Sequence, residues 1–183
     1  QANIPGSTTG ALNEAINIVI TNNVTFAQAK IVDDASNSGS NTYNINDTAQ
    51  NIATGVVTSV LAVSGAGTVT SSTEATGPQS AIMASISKSI AYSISDTAAN
   101  IVANIGGLNE SNNITATSSA TYGQAKLIKD ATNGGSKIYD ISDAASFINL
   151  KIWLSECDTR SDNDVVKLLV GNKSEALNRA VTF

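Results

Sequence analysis

Three aspartates close three related phrases: Tyr43-Asn-Ile-Asn-Asp47-Thr-Ala, Tyr92-Ser-Ile-Ser-Asp96-Thr-Ala and Tyr139-Asp-Ile-Ser-Asp143-Ala-Ala. A carboxylate in such a place can move protons, ligate calcium, or accept hydrogen bonds from the free amides of a helix start. The chain has no histidine, so the commonest general base and metal ligand is missing. Carboxylates such as Asp33-Asp34 and Asp130 leave a hydrolase as the remote catalytic option. A one-off active site would not be copied three times. Asp47, Asp96 and Asp143 are therefore expected as helix caps contributing about 1 kcal/mol each, with calcium ligation as the alternative. No serine stands in Gly-x-Ser-x-Gly, and Cys157 lies between Glu156 and Asp158, which oppose a thiolate. The expectation is a protein that is not an enzyme and has no cofactor.

Other polar residues recur as well. Gln28, Gln79 and Gln124 return in Phe26-Ala-Gln-Ala-Lys30, Gly77-Pro-Gln-Ser and Tyr122-Gly-Gln-Ala-Lys126, which suggests a ladder of amides. Thr68, Thr70, Thr115 and Thr117 fall on one strand face and form a candidate glycan surface. Acceptor sequences Asn-x-Ser/Thr occur at Asn23, Asn46, Asn109, Asn113 and Asn172, as a chain rich in these residues produces by chance.

These residues must be positioned by a repeating scaffold. Most of the chain follows a period of about 48 residues, the signature of stacked supersecondary units. Each unit divides into two strand-then-helix halves of about 24 residues. Strands are expected at 16–21, 42–46, 67–72, 91–95, 113–117 and 138–142, with a seventh at Val165–Val170 before a helix from Ser174 to Val181. Apolar stripes at Ala49, Ile52, Ala53 and Val56, at Ala98, Ile101 and Val102, and at Ala145, Ile148 and Ile152 mark helices. Ile18, Tyr43, Val69, Tyr92, Ile114 and Tyr139 should form one inward column, and Ile20, Ile45, Ser71, Ile94, Ala116 and Ile141 the next.

Tandem strand-helix units imply a parallel sheet with right-handed connections. The expected fold is an α/β repeat solenoid with one strand and one helix per coil. A partial coil would span 1–15, repeats 16–61, 62–108 and 109–155, and a terminal coil or cap 156–183. Its ends would be open, and Leu12, Ile16, Trp153, Leu169 and Phe183 are the candidate docking residues between subunits.

Composition narrows the partners. Only 14% of residues are charged, against roughly 25% in an ordinary soluble protein. Net charge is −5 without a basic cluster, which argues against nucleic acid. No apolar run reaches the roughly 18 residues that span a bilayer. Gln1 is not a translation start, and is read as a processed end or an arbitrary boundary.

The phrase Ser95-Asp-Thr-Ala-Ala-Asn-Ile101, with its sisters at Asn46 and Ser142, resembles tandem repeats of large secreted bacterial adhesin-like and hemolysin-type surface proteins. The resemblance implies an extracellular, structural or adhesive role and brings no catalytic residue. The glycine- and aspartate-rich nonapeptide that binds calcium is absent, so calcium has no motif here. The expected function is an extracellular subunit of a self-assembling bacterial filament or layer, a homopolymer docked head to tail. The alternative is a monomeric adhesin or carbohydrate-binding module using the strand face.

Overall fold

Thr25, Thr48, Thr76, Thr97 and Thr121 each stand immediately before a helix with extended backbone, and each hydroxyl oxygen accepts from the amide three residues on, at 3.2–3.4 Å. Threonine suits this place because its oxygen satisfies one of the amides that have no partner within the helix. The structure, a computed structural model, describes residues 9–142 and the single positions 152 and 155. The helices are α1 (Thr9–Asn13), α2 (Phe26–Asp33), α3 (Ala49–Thr58), α4 (Val60–Gly65), α5 (Gly77–Met83), α6 (Ala98–Ala103) and α7 (Tyr122–Asp130), with a 3-10 turn at Ile105–Gly107. The strands are β1 (Ile18–Val24), β2 (Asn41–Asp47), β3 (Val69–Ser71), β4 (Ile94–Asp96), β5 (Ile114–Ala116) and β6 (Lys137–Ile138).

The strands form two separate three-stranded parallel sheets, ordered β1-β2-β3 and β4-β5-β6. This corrects the expectation of one continuous sheet through a uniform coil. Between β3 and β4 the parallel sense persists only through the isolated bridges Thr70↔Ala91 and Ala75↔Ile94. On one side the chain travels from Thr70 to Ala75, while its neighbour goes only from Ala91 to Ile94. The surplus residues turn out of the ladder, with the Ser71 hydroxyl bonded to the Thr73 carbonyl at 2.6 Å. The same mismatch bends β1, which advances from Val19 to Asn23 while β2 advances only from Thr42 to Asn44. Such surplus is a bulge, and it turns the strand.

The bulge also corrects the expected columns. Ile45 stands beside Val24 and Val69, and Ile94 beside Ala75 and Ile114, so the tyrosines do not lie in line with Val69 and Ile114. Tyr43 and Tyr92 are nevertheless 1% and 2% exposed. Their hydroxyls donate to the carbonyls of Ala62 and Gly107, at 2.9 and 2.8 Å, tying the end of each helical segment to the strands. Ile52, Val63, Met83, Ile101, Leu108 and Ile128 fill the space between strands and helices. At about 25 cal/mol per Å² of apolar surface removed from water, this packing is the main favourable term. The expected strand at Val165–Val170, the helix from Ser174 and the cap at 156–183 lie outside the described residues.

Candidate functional site

The aspartates of the recurring phrase do not occupy the N-cap. Thr48 and Thr97 do, because the chain stays extended through β2 and β4 and turns only at the threonine. Asp47, one residue earlier and buried, instead joins two helices. One carboxylate oxygen accepts from the Thr48 amide and the Asn51 side-chain amide, both at 2.8 Å. The other accepts from the amide of Phe26, the first residue of α2, at 2.9 Å. Asp96 repeats the arrangement, with Thr97 and Asn100 at 2.7 and 2.9 Å and the Gly77 amide of α5 at 3.0 Å. Burial pushes the Asp96 carboxyl up, but the bonds from Asn100, Gly77 and Thr97 outweigh it and hold it below the ordinary value. Asp143 lies outside the described residues.

The other two helix starts are closed in the same manner by hydroxyls. The Ala49 amide donates to Thr73 Oγ1 at 3.0 Å and the Ala98 amide to Ser118 Oγ at 3.1 Å. Each first helical amide of α2, α3, α5 and α6 is thus taken by a side chain from the following strand or turn.

Gln28, Gln79 and Gln124 do not bond one another. Each sits at the third helical position and folds back, its Oε1 accepting from the amide of Thr25, Thr76 or Thr121 at 2.9–3.0 Å. This reciprocal pairing is a capping box. Gln79 also donates to Gln50 at 2.9 Å. The Thr-x-x-Gln spacing is the signal that identifies these boxes in sequence.

Sequence reasoning missed a second set of asparagines. The Oδ1 atoms of Asn13, Asn17, Asn44, Asn109 and Asn113 accept from the amides of Ser36, Ser40, Thr68, Thr132 and Ser136 at 2.8–3.0 Å. Their recurrence, Asn13 with Asn109 and Asn17 with Asn113, was available as a signal. These bonds also occupy the amide oxygens of two glycosylation acceptor sequences.

The threonine surface is not assembled as one face. Thr70 lies in the first sheet beside Asn46, and Thr115 in the second between Ser95 and Ile138. Thr68 donates its hydroxyl to Asn44 at 3.0 Å, and Thr117 lies beyond the end of β5. The docking set is not brought together either. Leu12 packs against the core, Ile16 is 73% exposed, and Trp153, Leu169 and Phe183 lie outside the described residues.

A shallow depression is lined by Thr25, Phe26, Ala27, Asp47, Asn51 and Thr54. Its polar floor is already committed, since Asp47 and Asn51 bond each other and the neighbouring amides. Among the described residues no group of three His, Cys, Asp or Glu side chains could hold a metal ion. No helix among them is long and apolar enough to cross a membrane.

Comparison with known proteins points elsewhere than the bacterial repeats. Residues 121–183 match the Ras family. Ras-related protein RABD2a of Arabidopsis thaliana is 51% identical over 47 residues, 25% of this chain and 23% of that protein. Ras-related protein RIC1 of Oryza sativa subsp. japonica is 49% identical over 47 residues, again 25% and 23%. GTP-binding protein YPTM1 of Zea mays is 56% identical over 45 residues, 24% and 22%. The chain spans less than a quarter of the length of these relatives. No solved structure matches it significantly.

These findings overturn several expectations together. The resemblance to secreted adhesin-like and hemolysin-type repeats gives way to similarity with Ras-related proteins. A single solenoid over the whole chain is incompatible with a Ras-family match that begins at residue 121. The filament subunit, the adhesin alternative, the homopolymer and glycan partners and the cell-surface location, argued from open solenoid ends, a threonine face and the bacterial resemblance, are overturned by the similarity to Ras-related proteins. The expectation of a non-enzyme falls too, because the matched family is one of GTP-hydrolysing proteins. From residue 121 onward the chain is similar to part of the Ras family, and that stretch follows a parallel strand-helix unit whose helix starts are closed from within.

Proposed function

We propose that this chain takes part in guanine-nucleotide binding through the segment that matches the Ras family, in the role of a Ras-related GTP-binding protein. The observation that carries the reading is the Ras-family match over 121–183, together with about half-identical stretches in three plant relatives, one of them described as GTP-binding. On this reading the ligand is GTP or GDP with Mg²⁺, the location is inside the cell, and the partners are proteins that sense or change the bound nucleotide.

In Ras-type proteins a glycine-rich loop and its lysine cradle the phosphates, a Ser or Thr of the loop and an Asp hold Mg²⁺, and GTP hydrolysis proceeds chiefly by positioning and charge stabilisation. The pattern G-x-x-x-x-G-K-[ST] does not occur in the 183 residues. The described residues offer it little either, since the first amides of α2, α3, α5 and α6 already have carboxylate or hydroxyl partners and no cluster of metal ligands occurs among the described residues. No hydrolytic step is therefore derived from them, and hydrolysis belongs to a whole domain of this family.

Within the matched segment the apolar run Val165–Val170 is followed by Gly171-Asn172-Lys173. An amide and an ammonium directly after a strand-like run suit ligand binding, because open α/β sheets take ligands at the carboxyl ends of their strands. A carboxamide both donates and accepts, as recognition of a base edge requires.

The test is titration of a fluorescent GTP analogue into the full chain, with and without Mg²⁺, followed by competition. Saturable binding displaced by GTP and not by ATP, and weakened by Asn172→Ala, is the expected result. Absence of saturation at about 1 mM nucleotide, a binding free energy weaker than about 4 kcal/mol, overturns the proposal.

A further inference from the structure

Asn133-Gly134 is the one Asn-Gly step in the 183 residues, and it lies in the turn that carries the chain from α7 to β6. Asn133 differs from the other asparagines of such turns. Asn13, Asn17, Asn44, Asn109 and Asn113 have their side-chain oxygens bonded to backbone amides, and each is followed by glutamate or isoleucine. The Asn133 side chain is held by one long bond, from Nδ2 to the Asn112 carbonyl at 3.3 Å. Its Oδ1 is buried and has no partner among the described residues. The amides of Thr132 and Ser136 on either side are bonded to Asn109 and Asn113, whereas none of the described residues accepts from the amide of Gly134. A Cβ added at Gly134 would meet nothing within 4 Å. The side-chain carbonyl and the neighbouring backbone nitrogen are thus both uncommitted.

We propose that Asn133 is a site of spontaneous deamidation in the folded chain, and that the reaction releases β6 from β5. The Gly134 nitrogen, once its proton passes to water or hydroxide, attacks Cγ of Asn133. The N–Cγ bond forms, the Cγ–Nδ2 bond breaks, and Nδ2 takes up a proton and leaves as ammonia. Water then opens the cyclic imide at either carbonyl, giving aspartate or, with the main chain rerouted through Cβ, isoaspartate. Glycine permits the attack because a side chain at position 134 would crowd the approach of its nitrogen. Gly134 and Gly135 are exposed and admit the water. The Lys137 ammonium, which donates to the Ala131 carbonyl of the same turn, favours the negative charge that develops.

The product is a carboxylate at a position only 7% exposed, which burial penalises. It has no proton to donate to the Asn112 carbonyl, so an attraction becomes a repulsion. Isoaspartate also lengthens the main chain just before Gly135, where the backbone packs so tightly that an added Cβ would run into the Asn112 carbonyl. β6 is paired with β5 only at Ile114↔Lys137 and Thr115↔Ile138, so little holds it once this turn is lost.

The experiment ages the full folded chain at neutral pH and reads its peptides by mass spectrometry, beside the Gly134→Ala variant. A gain of about 1 Da at Asn133, with aspartate and isoaspartate separated by chromatography, is the expected result. Asn37 is the internal control, since it bonds the Ile16 carbonyl in the matching turn but is followed by Ser38. It should react about tenfold more slowly or less, and Gly134→Ala should slow Asn133 by a similar factor. An Asn133 that reacts in urea but not in the folded chain, or no faster than Asn37, overturns the proposal. Release of β6 is read by amide hydrogen exchange in the aged chain and in Asn133→Asp. Exchange about tenfold faster at Ile114 and Ser136, with Ile45 of the first sheet unchanged, is expected. Equal acceleration at Ile45, or none at Ile114 and Ser136, overturns the release.

Discussion

The Asp47 carboxylate accepts the amide proton of Phe26 at 2.9 Å, although the two residues lie in successive turns of the chain. The bond closes the start of α2 from outside that helix, while the other carboxylate oxygen serves Thr48 and Asn51 of the next. One buried side chain thereby makes two helix starts depend on each other. Asp96 does the same for Gly77 and α6.

Replacing Asp47 by alanine removes three acceptor contacts and leaves the Phe26 amide without its partner. Hydrogen bonds to charged groups contribute about 1.5–3 kcal/mol each in net terms, and the three share one ion, so a loss of about 2–3 kcal/mol is expected. Urea unfolding of Asp47→Ala beside Asp34→Ala checks it, the latter losing only an exposed ion pair of about 0.5 kcal/mol. Equal losses in the two variants would contradict the two-helix role of Asp47.

Acid should weaken the fold through Asp96. Its carboxyl is held below the ordinary value of 3.8, so the unfolded chain binds this proton more readily than the native one. The contribution is whole above the unfolded value and is lost as pH falls through the lower folded value. Stability measured from neutral pH to about pH 2 should therefore decline below about pH 4, with a shallower decline in Asp96→Asn. An identical acid slope in the two proteins would remove Asp96 from the account.

At the alkaline end the tyrosines take over. Burial, with Asp33 nearby, raises Tyr43 from 10.0 to about 12. Tyr92 is raised as well, by burial and then by the charge of Glu110. The native state holds these protons more tightly than the unfolded chain, so their contribution is complete below about pH 10 and is lost as pH rises through the folded values. Absorbance titration of phenolate should show Tyr43→Phe lacking a late-titrating group near pH 12. The same substitution leaves the Ala62 carbonyl without its buried donor and should cost about 1–2 kcal/mol.

Two glycines should respond in opposite directions. Gly77→Ala forces a methyl against the Asn100 carbonyl where α5 meets α6, and a loss of about 1–3 kcal/mol is expected. Gly123 in α7 has nothing within 4 Å of an added Cβ, so Gly123→Ala should gain about 0.5–1 kcal/mol from helix propensity. Thermal melts of the two variants decide it, and a gain in Gly77→Ala would mean that α5 and α6 are not in close contact.

The recurring tyrosines and aspartates were legible because Tyr43 and Tyr92 are both buried and Asp47 and Asp96 both bonded to two helix starts, so the same physical demand recurs with the phrase, while Tyr139 is only partly buried. The helix caps were not read correctly: they were expected at the aspartates, and the glutamines as a ladder, whereas threonine caps each start and Thr-x-x-Gln, a signal of only a few consecutive residues, closes three of them. The segment from 109 to 155 read as a third repeat because the phrases at Phe26 and Tyr43 return at Tyr122 and Tyr139, and because Ala145, Ile148 and Ile152 continue it with helical spacing. Any amphipathic helix has that spacing, including one in an unrelated α/β protein, so it could not reveal the Ras-family match.

By itself the amino-acid sequence determined the local elements: strand-like alternation, apolar helix stripes and the threonine starts, each set by contacts within one turn of chain. Only the tertiary structure decided that the sheet divides, that Ile45 rather than Tyr43 stands beside Val69, and that Asp47 reaches back to Phe26. The reason is register. Alternation has a period of two, so the surplus of residues at each bulge leaves the inward pattern unchanged while moving every neighbour across the sheet.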